Sequence, residues 1–347
     1  MSDVRKLYLK IPRIKNLWIK FLNEHGLNDF SESEVQNLDL TMGLYENEKL
    51  IGTGSLSDNI LKFIAVDEGD PPGANFNRII TALQNELMQQ GKTHMMVFTK
   101  PQYEKSFNYV GFNTLAKTSL GVLLEAGAPD IKTYLTNLPG VKDQKQAASI
   151  VMNANPFTLG HRYLVEQAAS ENAVVNVFVV SADRSLFSSS ERMQLVKEGL
   201  ADLKNVRVFF GGSYMVSYAT FPSYFLPAGD EIIRYQTTLD ARLFRDQVAP
   251  ILNITKRYLG DEPFSRTTNI YNQVLQQELP PSIEVIIVKR LEKNQKIVNA
   301  TAVRQAIAKH NLDSVKDFLP STTAQFIEDH ESELLARIKK GTNIRGN

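Results

Sequence analysis

Residues 148–169 read ASIVMNANPFTLGHRYLVEQAA. A short apolar run, Ile150–Met152, leads into Asn153-Ala154-Asn155-Pro156-Phe157, then Thr158-Leu159-Gly160-His161, and then a segment with amphipathic helical spacing. A strand that turns directly into a helix start is suited to phosphate, because the first N–H groups of a helix have no partner inside it and point outward. Gly160 lets backbone or phosphate approach closely. His161 is of the right type to stabilise charge developing on a phosphoryl oxygen. The plainer alternative is that Gly160-His161 only punctuates a helix start. A second constellation lies near the C-terminus, where Lys296-Ile297-Val298-Asn299-Ala300-Thr301-Ala302-Val303-Arg304 runs into a helix with Val303, Ala306 and Ile307 inward. Asn299 and Thr301 suit capping and phosphate contact, and Arg304 sits one turn in. A capped helix bearing a surface arginine would look the same.

These residues sit in the second of two unlike halves. Up to about Ala126 the chain reads as an α+β domain with a largely antiparallel sheet. Its strands are Leu40–Glu46 and Lys49–Ser55, a hairpin around Asn47, followed by Ile60–Val66, His94–Thr99 and Ser119–Leu124. Phe76, Ile79, Ile80, Leu83 and Leu87 predict a helix over Phe76–Gln90, and a shorter one follows at Tyr103–Val110. Residues 127–146, with Gly, Pro and the polar run KDQK, read as a linker. Beyond it, Ala148–Met152, Ala173–Val180, Val206–Phe210 and Ile283–Val288 are nearly continuous apolar runs with helical stretches between them. That pattern predicts a parallel α/β sheet covered on both faces. The expected division is therefore 1–126, 127–146 and 147–347.

Composition limits the chemistry. With 347 residues, two domains are the default. Lys and Arg number 39 against 38 Asp and Glu, which argues against a general electrostatic grip on nucleic acid or an acidic membrane. There are no cysteines, so disulfides, thiolate metal sites and a cysteine nucleophile are excluded. His94, His310 and His330 have no metal-ligand spacing. The start, MSDVRKLYLKIPRIKNLW, lacks an apolar signal core, which leads to the expectation of a soluble, cytoplasmic protein.

Taken together, the two segments resemble the nucleotidyltransferase superfamily, whose signatures are (H/T)-x-G-H after the first strand and an I-S-S-T-x-x-R-like segment late in the chain. Thr158-x-Gly160-His161 matches the first. Val298–Arg304 keeps Thr301 and Arg304 of the second and lacks both serines. Further stretches narrow the match: SADRSLFSSSERMQLVKEG, GGSYMVSYATFPSYFL and RDQVAPILNITKRYLGDEPFSRTTNIYN are similar to citrate lyase ligases. That family carries a first domain similar to the GNAT-type acetyltransferases, followed by a Rossmann-like parallel-sheet nucleotidyltransferase domain. In the acetyltransferases an acyl-CoA pyrophosphate loop reads (Q/R)-x-x-G-x-(G/A). Here the corresponding stretch, Asp70-Pro71-Pro72-Gly73-Ala74-Asn75, keeps only Gly73, and Asp70 has the wrong charge for a pyrophosphate.

The resemblance implies an ATP-dependent acetylation of a thiol on the acyl carrier subunit of citrate lyase, borne by a prosthetic group derived from dephospho-CoA. Acetate would attack the α-phosphorus of ATP, with Mg²⁺ shielding the phosphates, and the thiol would then displace AMP from the acetyl-adenylate. Neither step needs a protein nucleophile. In that scheme His161 stabilises the pentavalent phosphorus, Thr158 donates a hydrogen bond, and Arg304 with Thr301 holds the β- and γ-phosphates. Asn155, Pro156, Phe157, Gly160 and Asn299 shape the ATP pocket, and Arg192 is either a further phosphate or substrate contact or an exposed helix charge. The first domain, with Gly73, either keeps a cleft that binds the thiol arm or only docks the carrier and stabilises the second domain. Asp240, Arg257 and Glu262 read as salt-bridging residues. Tyr214, Tyr218, Phe221, Tyr224 and Phe225 line either a substrate route or an ordinary buried loop. Two other functions fit the same motifs: an adenylyltransferase acting on a pantetheine phosphate or nicotinamide mononucleotide, and a non-catalytic nucleotide-binding scaffold.

Overall fold

The computed structural model describes residues 3–28, 30–69, 71–141, 145–181, 185–215, 230–262, 265–342 and 344. Asp70 and all of the aromatic segment except Tyr214 lie outside these residues; Tyr214 itself is buried. The chain divides into two compact units, Met1–Tyr134 with Phe221–Arg242, and Leu135–Thr220 with Leu243–Asn347.

The first unit is built on a seven-stranded sheet: β1 (Asp3–Lys6), β2 (Leu40–Glu46), β3 (Lys49–Ser57), β4 (Ile60–Val66), β5 (His94–Thr99), β6 (Asn113–Lys117) and β7 (Val122–Gly127), in the order β1-β2-β3-β4-β5-β7-β6. The β2–β3 hairpin turns at Asn47 and Glu48, both at positive φ, as a two-residue hairpin loop requires. All pairs are antiparallel except β4–β5, which is parallel and registers only Ile60 with Met96 and Leu61 with Val97. The helix expected over Phe76–Gln90 spans Ala74–Gln89 and buries Ile79, Ile80, Leu83 and Leu87 on the sheet. The expected elements omit β1, β6, the short Glu32–Gln36 helix and the Pro12–Glu24 helix, although Ile14, Leu17, Trp18, Phe21 and Leu22 of the last recur at helical spacing. That helix carries the single tryptophan, Trp18, whose indole N–H donates to Thr53 Oγ1 at 3.0 Å in the core. The stretch expected as a linker contains a helix, Ile131–Thr136, and residues 230–242 belong with this unit, Arg242 donating to the Lys117 carbonyl at 2.7 Å.

The second unit is a five-stranded, all-parallel sheet of β8 (Ala147–Met152), β9 (Val175–Val179), β10 (Val206–Phe210), β11 (Ile254–Gly260) and β12 (Glu284–Val288), ordered β10-β9-β8-β11-β12. Four of these are the four apolar runs. The fifth, β11, escaped because its sequence, ITKRYLG, is not apolar. The reason lies in the face it presents. Ala148, Ile150, Met152, Val175, Val177 and Val179 pack with Val165, Leu195, Val196, Val303 and Ile307 in one core. The alternate residues Asn176, Ser149 and Arg257 stand in register across β9, β8 and β11 and are also buried. Arg257 stacks its guanidinium 4.3 Å from the Phe244 ring centroid. Among the described residues, no helix is long and apolar enough to cross a membrane.

One close approach ties the motif loop to this core. A Cβ on Gly199, the last residue of the Ser189–Gly199 helix, would lie 2.5 Å from Cε1 of the fully buried Phe157. Gly199→Ala should therefore lower stability by about 1–3 kcal/mol, the usual cost of overpacking, measured by chemical denaturation. Combining it with Phe157→Leu should cost less than the sum of the two changes; strict additivity would show that the contact is not the cause.

Candidate functional site

The strand order sets where a ligand can sit. From β8 the sheet grows through β9 and β10 on one side and through β11 and β12 on the other, so the chain reverses direction across the sheet at β8 and β11. In open parallel sheets ligands collect outside the carboxyl ends of the strands at such a point. A cleft of about 850 Å³ lies there, walled by Val151–Asn155 after β8, Tyr258–Gly260 of β11 and Val288–Leu291 after β12. Thr158, Gly160, His161, Asn299 and Thr301 complete its rim. Its volume is that of a site for a drug- or nucleotide-sized molecule.

His161 is the third residue of the Leu159–Glu171 helix, and Thr158 is its N-cap. The Thr158 hydroxyl accepts from the His161 N–H at 3.4 Å, while the imidazole reaches back to Thr158, with Nδ1 3.1 Å from the backbone nitrogen and 2.9 Å from the hydroxyl. This is a capping box with histidine in place of the usual Glu or Gln. A backbone N–H can only donate, so Nδ1 accepts and the neutral ring carries its proton on Nε2. Nε2 has no hydrogen-bond partner among the described residues. Burial, followed by the positive charges of Arg290 and Arg304, pushes the imidazole pKa down to about 4. At neutral pH His161 is therefore an uncharged N–H donor on the rim of the cleft. Phe157 stacks on it, with ring centroids 5.9 Å apart and planes 18° from parallel.

The other expected residues divide into two sets. Asn155, Thr158, Gly160, Asn299 and Thr301 share the cleft lining with His161. Gly160 allows the C-terminal segment to close over the loop, since a Cβ there would be 3.3 Å from the Val298 carbonyl. Asn299 caps the Ala300–Ala308 helix through Ala302 N–H at 2.8 Å. Pro156, Phe157, Arg192 and Arg304 lie outside the lining, buried beneath it. Arg192, expected as a phosphate contact, is fully buried and donates to the carbonyls of Asn153 (2.9 Å), Val180 (2.7 Å) and Phe187 (3.1 Å). Arg304 is equally buried, donating to the Asn155 carbonyl at 2.6 Å, Thr301 Oγ1 at 3.1 Å and the Ile344 carbonyl at 3.2 Å. Both guanidinium groups are thus engaged with the loop that shapes the cleft. Gly73 belongs to the first unit, at φ 83°, as N-cap of the Ala74–Gln89 helix.

Sequence reasoning missed the wall opposite His161. Lys289 and Arg290 follow β12, and Glu262, Ser265, Thr267, Thr268, Tyr271 and Asn272 come from the end of β11 and the Arg266–Glu278 helix. The available signal was the basic pair at the carboxyl end of a predicted strand. Glu262, expected to form a salt bridge, does so with Arg290. Asp240 lies in the first unit and Arg257 within the sheet, neither in the cleft. Among the described residues, no group of three or more His, Asp or Glu could hold a metal ion.

The model of the citrate lyase ligase C-terminal domain matches residues 147–327. Citrate (pro-3S)-lyase ligase of Escherichia coli strain K12 is 35% identical over 318 residues, covering 89% of each chain. The ligase of Klebsiella pneumoniae is 34% identical over 315 residues, 89% of this chain and 91% of its own. The chain belongs to the citrate lyase ligase family. It is accordingly an enzyme of the ligase class that serves the activation of citrate lyase. Among solved structures, FeeM, an N-acyl amino acid synthase from uncultured soil microbes, aligns with 38% of the ligase and 93% of its own chain, at 12% identity and a TM-score of 0.33.

The capping geometry of the ligase makes a direct spectroscopic prediction. In the ligand-free protein, the imidazole ¹⁵N signals of His161 should show the neutral Nε2–H form from about pH 8 to about pH 5.5, with titration only near 4. A midpoint at the ordinary 6.5 would show that the ring is not desolvated as the geometry requires.

Proposed function

We propose that the ligase activates acetate with ATP in the cleft of the second unit and passes the acetyl group to the thiol of the prosthetic group on the acyl carrier subunit of citrate lyase. An acetate oxygen attacks the α-phosphorus, the bond to the bridging oxygen breaks, and its electron pair leaves with pyrophosphate. The thiol then attacks the acetyl carbonyl, loses its proton to solvent, and displaces AMP. The observation that carries this reading is the His161–Thr158 capping box on the rim of the cleft, which fixes an uncharged Nε2–H donor beside the N-terminus of a 13-residue helix. Such a donor strengthens its hydrogen bond as negative charge builds on the phosphoryl oxygens. Helix N–H groups and Asn155, Asn299 and Thr301 supply the remaining polar contacts. Arg304 contributes through the Asn155 carbonyl, holding the loop in a shape that accepts the nucleotide. Mg²⁺ would enter with the ATP phosphates, and Glu262, the acidic side chain of the lining, is already engaged by Arg290 and the Ser265 N–H.

The division of labour follows the two domains expected at 1–126 and 147–347. In the first unit an apolar cavity of about 110 Å³ opens where β4 and β5 part after two registered pairs, lined by Leu61, Ile64, Val66, Val97, Phe98 and Phe107. We assign the thiol arm to this cavity, whose lining includes Phe76 of the helix that follows Gly73. Filling it with Ile64→Trp should leave acetate-dependent pyrophosphate exchange intact while slowing transfer to the carrier at least tenfold.

The decisive assay is incorporation of labelled pyrophosphate into ATP in the presence of acetate. Exchange that requires acetate supports the ligase mechanism; a stable dinucleotide-like product would point to an adenylyltransferase instead. His161→Ala should lower kcat for exchange by about 10²–10³ with an unchanged thermal midpoint, the loss typical of one transition-state donor. Arg304→Ala leaves the Asn155 carbonyl without its charged donor and, through the loop, should raise the KM for ATP roughly 10–100-fold in protein that still melts cooperatively, and Arg304→Lys should raise it less. Wild-type kinetics in both arginine variants would remove Arg304 from ATP binding.

A further inference from the structure

Arg290 lines the same cleft as the motif residues and is held in an unusual way. Its Nε donates to the Asp261 carbonyl at 2.7 Å, and its Nη2 is ion-paired with Glu262, a carboxylate whose side chain is only 9% exposed. The other oxygen of Glu262 accepts from the Ser265 N–H at 3.1 Å, so the carboxylate is itself fixed to the start of the Arg266–Glu278 helix. Two of the three guanidinium nitrogens are therefore committed to the protein. Nη1 has no hydrogen-bond partner among the described residues, although the side chain lines the cleft and is about a quarter exposed. A surface ion pair would leave a long cationic side chain free to wander. Here the fork is immobilised with one edge left over, and its charge is close enough to His161 to be felt there.

We infer that Arg290 is a catalytic residue of the ligase, donating from Nη1 to the phosphate oxygens that gain charge as pyrophosphate departs, with Glu262 and the Asp261 carbonyl as its positioning groups. This deepens the proposed function and rests on it. The reaction needs such a group. His161 is neutral, and the cations of Arg192 and Arg304 are turned toward backbone carbonyls, so any compensation that the protein gives the leaving-group charge beyond Mg²⁺ comes from elsewhere in the cleft. A guanidinium already oriented costs little reorganisation at the moment of bond breaking. The neighbouring Lys289 is an exposed, flexible cation, better suited to attracting ATP than to fixing one oxygen.

The experiment is steady-state acetate-dependent ATP–pyrophosphate exchange by the full-length protein and its Arg290→Gln, Arg290→Lys and Glu262→Gln variants, each checked by thermal melting. Arg290→Gln should lower kcat about 10²–10³-fold and change the KM for ATP less than tenfold. Arg290→Lys keeps the charge and should still lose at least tenfold in kcat, because an ammonium cannot hold the fork geometry. Glu262→Gln should lower kcat about tenfold without moving KM, the signature of positioning rather than of support for the fold. An Arg290→Lys protein that exchanges within threefold of wild type overturns the inference and leaves the proposed function standing. Should Arg290→Gln fail to fold, the Lys variant alone decides. Wild-type protein that exchanges no pyrophosphate overturns the proposed function, and the inference falls with it.

Discussion

The cleft of this ligase depends on two buried arginines gripping one loop. Arg192 holds the carbonyl of Asn153, Arg304 holds that of Asn155, and the loop between them turns from β8 into the helix that carries His161. Neither guanidinium has measurable exposure. Burying a cation is costly unless its N–H groups are satisfied, and each bond from a charged donor returns roughly 1.5–3 kcal/mol. Burial lowers the Arg304 pKa to about 10, which still leaves it protonated at neutral pH. The loop is thus clamped from the Ser189–Gly199 helix on one side and from the Ala300–Ala308 helix on the other. Residues 149 positions apart in sequence meet at one hydrogen bond.

That clamp explains why a family signature and a residue role are different kinds of information. Thr158, Gly160 and His161 were legible because a strand, a tight loop and a helix N-terminus impose residue types on a short stretch. Arg304 was equally legible as a position. Its partners were not, because whether an arginine faces a phosphate or a backbone carbonyl depends on how the C-terminal helix docks. The same holds for Arg192, for which both a phosphate contact and an exposed helix charge were reasonable from local spacing. The structure buries it completely.

The fold was legible wherever one physical rule dominated a segment. Apolar runs marked four of the five parallel strands, and the Asn47 turn marked its hairpin. Strand β11 was hidden because buried polar groups replace apolar ones along it: Arg257 lies over Phe244, and Tyr258 donates from its hydroxyl to Glu171 at 2.6 Å. Hydropathy reads such a strand as surface. The Pro12–Glu24 helix did carry its signal, with Ile14, Leu17, Trp18, Phe21 and Leu22 at helical spacing. With β11 missing, the point at which strand order reverses could not be located, and the basic wall after β12 could not be set opposite His161.

Two arginines bear on the histidine where the chemistry is proposed. Burial first, and then the charges of Arg290 and Arg304, depress the His161 pKa, so the cleft without a nucleotide favours the neutral ring. A bound triphosphate would offset the arginines' share of that depression, while the ring remains desolvated. The imidazole would then become easier to protonate just when phosphoryl oxygens are within reach, and its hydrogen bond would strengthen as charge develops on them. A histidine that was already cationic in the free enzyme would have to be held against two arginines and would bind ground-state phosphate as firmly as the transition state. The depressed pKa thus favours discrimination between the two states over affinity for ATP.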